Sequence, residues 1–172
     1  MKKKMSRGEF LVKSFALTAV VACVVGGGST LLADRYSIGI DPQQSRCLGY
    51  RVFFIDKTDK IPERGKIFTF KALGTEPYFP NGTLLTKMID GVPGDRVQVG
   101  HDGVVVNGSQ VPTADGLYLA VTLNKPESRY IRDEYLATGK YWFSGRTKDS
   151  FDSRYWGTVD ETQLVGRAYP LW

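Results

Sequence analysis

The stretch from Leu84 to Asn107 reads LLTKMIDGVPGDRVQVGHDGVVVN. Arg96–Val99 and Gly103–Asn107 alternate or cluster β-branched residues around a Gly-His-Asp-Gly turn, which predicts an antiparallel hairpin. Upstream, Leu84–Asp90 is a short aliphatic run closed by Pro93-Gly94-Asp95, again strand followed by turn. Outward from this core the same punctuation repeats. Strands are predicted at Tyr36–Ile40, Tyr50–Ile55, Lys66–Ala72, Leu84–Asp90, Arg96–Val99, Gly103–Asn107, Leu117–Thr122, Lys140–Ser144 and Gln163–Tyr169. Turn residues separate them at Pro62–Gly65, Asn81-Gly82 and Asn107-Gly108. No segment beyond Tyr36 holds a helical apolar period for more than about ten residues. Residues 123–139, with Pro126 and mixed charge, read as a loop or a short helix-bearing excursion. Residues 34–172 are therefore expected to form one mostly β, antiparallel domain.

The N-terminal residues are of another kind. Residues 1–13, MKKKMSRGEFLVK, form a basic segment, and residues 14–33, SFALTAVVACVVGGGSTLLA, carry no charge. At 1.5 Å per residue such a run matches a hydrocarbon core of about 30 Å, so a single transmembrane helix is expected. The positive-inside rule keeps residues 1–13 cytoplasmic and exports residues 34–172, which in a bacterium places them in the periplasm. Two other readings compete. A cleaved signal would use the small residues at Gly26–Ser29, and Val20-Val21-Ala22-Cys23 resembles a lipoprotein box with Cys23 lipidated. Either anchoring route, span or lipid, leaves the body tethered to membrane lipid.

Composition narrows the chemistry. The 172 residues are 42% hydrophobic and include 21 aromatic side chains, enough for a packed core. A single histidine, His101, and two cysteines, Cys23 and Cys47, exclude a Cys/His zinc cluster and leave one route to a histidine triad. No metal or organic cofactor is expected. The formal charge of +5 suggests nucleic acid until it is located: residues 1–13 hold five Lys/Arg and one acid, leaving the rest at +1. The basicity is a topology signal, and no nucleic-acid partner is expected.

With histidine so scarce, Lys87 draws notice. In one strand register it shares a face with Leu85 and Ile89, where loss of water favours the neutral amine and makes it a candidate general base. In the other, Leu84, Thr86 and Met88 point inward and Lys87 is solvated; the strand pattern alone favours this one, since lysine is rarely buried. A neutral lysine needs a nucleophile. Ser45 stands in a polar turn, Asp41–Tyr50, that leads into a strand, a position that exposes a hydroxyl on a fixed backbone.

Three motifs in order carry a resemblance that covers nearly the whole chain. Lys87–Val97 (KMIDGVPGDRV) is similar to the lysine-bearing box of the type I signal peptidase family, and Ser150–Gly157 (SFDSRYWG) to its C-terminal box. The serine segment Ser45-x-Cys47-x-Gly49-Tyr50 and the SFDSRYWG run most resemble the conjugative-transfer, TraF-type members, which mature pilin subunits. The resemblance implies a signal-peptidase-like antiparallel β domain behind one N-terminal membrane helix, and a membrane-anchored serine endopeptidase with a Ser/Lys dyad. It implies Ser45 as nucleophile, Lys87 as general base, Ser150 as the hydroxyl that orients the lysine, and Asp152 and Arg154 as a structural ion pair. The backbone N–H of Ser45 would be one oxyanion donor. Its implied partners are pilin or other exported precursors with small residues before the cut.

Two positions depart from the family pattern. Gln43 stands where the family has a Ser or Thr hydroxyl, so its amide is the candidate oxyanion donor. Cys47 stands where the conjugative branch has proline, and reads as a small apolar filler, with a thiol nucleophile or redox switch as its alternatives. A non-catalytic periplasmic component of the conjugation apparatus, on a peptidase-like scaffold, is the competing function. A self-cleaving repressor shares Ser/Lys chemistry, but the N-terminal segment lacks a DNA-binding helix pair.

Overall fold

The structure, a computed structural model, describes residues 7–112 and 116–172. Two compact units divide at Ser37/Ile38. The first holds a helix, α1 (Arg7–Arg35), continuous through the uncharged run. Residues 1–6, with Lys2, Lys3 and Lys4 of the expected basic segment, lie outside the described residues. The expected membrane span needs restating: among the described residues no helix is long and apolar enough to cross a membrane. The Ser29 and Thr30 hydroxyls turn back onto the Gly26 and Gly27 carbonyls at 2.9 Å.

The second unit is the β domain. Its strands are the end of β1 (Tyr36–Ile40), β2 (Val52–Asp56), β3 (Ile67–Lys71), β4 (Leu84–Gly91), β5 (Arg96–Gly100), β6 (Gly103–Val106), β7 (Ser109–Gln110), β8 (Arg132–Tyr135), β9 (Lys140–Ser144), β10 (Val159–Asp160) and β11 (Leu164–Pro170). One sheet runs β1-β2-β11-β3-β4-β9-β10 and the other β7-β6-β5-β8. The registered pairs are antiparallel. The hairpin from Arg96 closes with Gly100 opposite Gly103, and the alternation that predicts it becomes the buried set Val97, Val99, Val104 and Val106.

Three apolar clusters fill the domain. Val97, Val99, Val104 and Val106 pack with Trp142 and Tyr155; Phe68, Phe70, Ile89 and Phe143 form a second cluster; Leu48, Phe53, Ile55 and Ala168 form a third with Cys47. One predicted strand is absent. Leu117–Thr122 is a run of turns in which Leu117, Ala120 and Leu123 are buried three residues apart, and Ala120 N–H donates to the Leu117 carbonyl. That spacing is helical, and burial of one face overrides the local β propensity. Within 123–139 the excursion contains a 3-10 turn at Glu127–Arg129 and then β8, whose charged sequence RDEY carries no apolar signal.

Candidate active site

β4 carries the lysine. Lys87, Ile89 and Gly91 are buried while Met88 and Asp90 are half-buried, so the lysine faces inward, at 6% exposure. The strand is flanked on both edges, with Lys87 opposite Phe68 of β3 and Met88 opposite Ser144 of β9. Its backbone is fixed. The Lys87 amine donates to Ser150 Oγ and to Cys47 Sγ, each at 2.9 Å.

Ser150 owes its position to the residues after it. Asp152 caps α2 (Ser153–Trp156), and its carboxylate receives Arg154 Nε at 2.8 Å and Nη2 at 3.0 Å, a bidentate pair with both side chains fully buried. The same groups reach the site. Arg154 Nη2 donates to the Ser150 carbonyl at 3.1 Å, and Asp152 accepts the Gly145 N–H at 3.1 Å. Gly145 has no room for a side chain: a Cβ there would overlap Ser150 Oγ and stand 3.1 Å from Cys47 Cβ. Next along, the Arg146 N–H donates to the Cys47 carbonyl, and its guanidinium holds Asp90 at 2.7 and 2.9 Å. The loop after β9 thus grips both neighbours of the lysine.

The turn 41–50 brings two candidate nucleophiles to different places. It is closed by Asp41 N–H to the Arg51 carbonyl at 2.8 Å and tightened by Gly49, whose N–H returns to the Arg46 carbonyl and whose φ is +79°. Cys47 is buried and points at Lys87; Ser45 is exposed and donates to Asp149 Oδ2 at 2.8 Å. The structure therefore brings Lys87, Ser150, Asp152 and Arg154 together and does not bring Ser45 to the lysine. Gln43 is exposed too, its N–H bonded to Asp41. Sequence reasoning overlooked Gly145, Arg146 and Asp149. The Gly145-Arg146 pair directly after a strand was the available signal, since glycine marks close approach.

The lysine box ends in a structural knot. Asp95 accepts from Val92 N–H and Arg64 at 2.6 Å and from Asn107 at 2.7 Å. Burial pushes this carboxyl upward, but the Val92 N–H, Arg64 and Asn107 outweigh it and hold it below the ordinary carboxylate range. Gly91 admits no Cβ beside Leu136 and Trp142, and Gly94 adopts φ +89°. These glycines shape the backbone. His101 lies on the surface beside Glu127 and takes no part.

Lys87 thus presents a buried amine to a hydroxyl and a thiol, an arrangement able to exchange a proton with either. The chain belongs to the signal peptidase family, peptidase S26, which it matches over residues 11–172. It is similar to a probable signal peptidase I-2 from Synechocystis, 34% identical over 98% of this chain and 76% of the relative. It is also similar to signal peptidase IB from Staphylococcus aureus, 29% identical over 100% and 92%. A crystal structure of a signal peptidase I from Enterococcus faecalis matches at 26% identity and a TM-score of 0.40, over 63% of this chain and 97% of that one. The protein is an endopeptidase of the signal peptidase I type, and its reaction is removal of leader peptides. Its domain is mostly β and antiparallel, as the resemblance implied.

Proposed function

We propose that this leader peptidase matures precursors exported through the bacterial inner membrane, conjugative pilin among them, with Lys87 as its general base. The observation that carries the reading is the buried Lys87 amine held against Ser150 Oγ at 2.9 Å. A base needs both a fixed position and a partner for its remaining protons, and β4 and Ser150 supply these. The nucleophile comes from the turn 41–50, where the sequence points to Ser45. The pilin assignment is supported by the segment from Ser45 to Tyr50 and the run SFDSRYWG.

Residues 14–33 anchor the enzyme, cytoplasmic residues 1–13 lying before them and the catalytic residues after them on the periplasmic side. Support comes from the absence of charge across that run, its helical backbone and the cluster of lysines that precedes it. Small residues just before the cut are favoured, because shallow pockets beside a nucleophile reject bulk. The acyl-enzyme is resolved by water or by the amine of the pilin itself, products that differ in mass by one water. Mass spectrometry of a pilin precursor incubated with the wild-type protein and with Lys87→Ala tests the reading. One cleaved product with the wild type and none with the variant is expected; equal cleavage by both would sink it.

A further inference from the structure

We propose that the nucleophile served by Lys87 is the Cys47 thiol and not the Ser45 hydroxyl, so that the acyl-enzyme is a thioester. The inference rests on the leader-peptidase reading and deepens it. Ser45 and Cys47 are two residues apart on one turn, yet their side chains go opposite ways: Cys47 Sγ lies 2.9 Å from Lys87 Nζ, whereas Ser45 Oγ is exposed and bonded to Asp149. A proton can pass directly between the amine and the sulfur, whereas the Ser45 hydroxyl is committed to Asp149.

Packing alone does not account for the thiol. Cys47 does belong to an apolar cluster with Leu48, Phe53, Ile55, Ile67 and Ala168. A hydrocarbon in its place would leave the buried amine, a group with three donors, with Ser150 as its one side-chain partner among the described residues. The Cys47 sulfur gives the amine a second side-chain partner, at 2.9 Å. The surroundings also hold the sulfur in place. Arg146 N–H bonds to the Cys47 carbonyl, and the bare α-carbon of Gly145 lets Ser150 and Cys47 close on the same amine.

The chemistry balances with groups already present. The Cys47 proton passes to Lys87, and the sulfur attacks the scissile carbonyl, forming a C–S bond as the π pair moves to oxygen. Collapse breaks the C–N bond, and the Lys87 proton leaves with the amine of the mature chain. Neutral Lys87 then takes a proton from water, whose oxygen attacks the thioester; as the C–S bond breaks the Lys87 proton passes to the leaving sulfur, which restores the thiol and the neutral amine.

Trypsin cuts after Arg35, Arg46 and Arg51, which separates Ser45 (residues 36–46) from Cys47 (residues 47–51). The test uses the full chain with Cys23→Ser, incubated with a leader-bearing precursor, quenched in acid, digested and read by mass spectrometry. The acyl adduct is expected on residues 47–51 and is released by neutral hydroxylamine. Cys47→Ala is expected to cleave at least about a thousand-fold more slowly. Cys47→Ser, which keeps the packing, carries any adduct on the same peptide as an ester resistant to hydroxylamine. An adduct on residues 36–46, or wild-type cleavage by Cys47→Ala, overturns the inference and leaves the leader-peptidase reading standing. Wild-type protein that cleaves no leader-bearing precursor and forms no adduct overturns both.

Discussion

Arg154 Nη2 donates to the Ser150 carbonyl at 3.1 Å, so the arginine of a buried ion pair also holds the main chain of the residue that contacts Lys87. The pair Asp152–Arg154 is thus part of how the Lys87 amine is aimed. It reaches the lysine through two routes, the Ser150 carbonyl on one side and the Gly145 N–H on the other.

Removing one member of that pair leaves the other charged and without solvent. Arg154→Ala is expected to cost about 3–5 kcal/mol in stability, read as a lowered midpoint in urea unfolding. Arg154→Lys recovers little of it, because one ammonium cannot reproduce the bidentate fork and the contacts to Ser150 and Gly116.

Ser150→Ala removes the hydroxyl on the lysine while sparing the ion pair. Turnover is expected to fall by about 10²–10³-fold with KM nearly unchanged, a range typical of general-base function. Steady-state kinetics on a leader-bearing peptide, with a thermal melt to verify folding, separates this from unfolding.

Gly145→Ala places a methyl on Ser150 Oγ and close to Cys47 Cβ. Overpacking of this kind costs about 1–3 kcal/mol, and the relief available is to displace Ser150 or Cys47. Cleavage is therefore expected to fall at least about tenfold while the protein stays folded in circular dichroism. Undiminished cleavage would show that these two side chains need not meet at the amine.

Asp95 gives a pH dependence of stability. Its carboxyl is held below the usual range in the folded protein, so its contribution is present above the unfolded value of about 3.9 and is lost as pH falls through the folded value. At pH 7 Asp95→Asn is expected to be less stable by about 1–3 kcal/mol. Below about pH 3 the gap between variant and wild type should narrow, measured by guanidinium unfolding at each pH.

The β domain was legible wherever alternation met turn residues. Val97 through Val106 alternated and folded as a hairpin, and Lys66–Ala72 and Lys140–Ser144 supplied the aromatic strands that flank β4. β7 and β10 are two residues each, too short for any period, and β8 is held by pairing with β5 through a charged sequence. Leu117–Thr122 looked like a strand because its helical spacing emerges only over Leu117, Ala120 and Leu123. At the site, the lysine and its Ser150 partner could be named from motifs. The direction of each side chain on the turn 41–50 could not, because a turn has no period to tell inside from outside. Which of Ser45 and Cys47 meets Lys87 is decided by a contact across 40 residues of chain. The two positions that departed from the family pattern, Gln43 and Cys47, flank Ser45 by two residues on either side, as a motif displaced by two would.

β4 lies between β3 and β9, with bonded neighbours along both edges. The amide of Lys87 is thus expected among the last to exchange with deuterated solvent, opening only with the whole sheet. The lysine behaves as a fixed anvil. The motion that admits and releases a peptide is expected from the turn 41–50 and the loop after β9, so catalysis should slow when those two segments are stiffened and be indifferent to stiffening of the sheet.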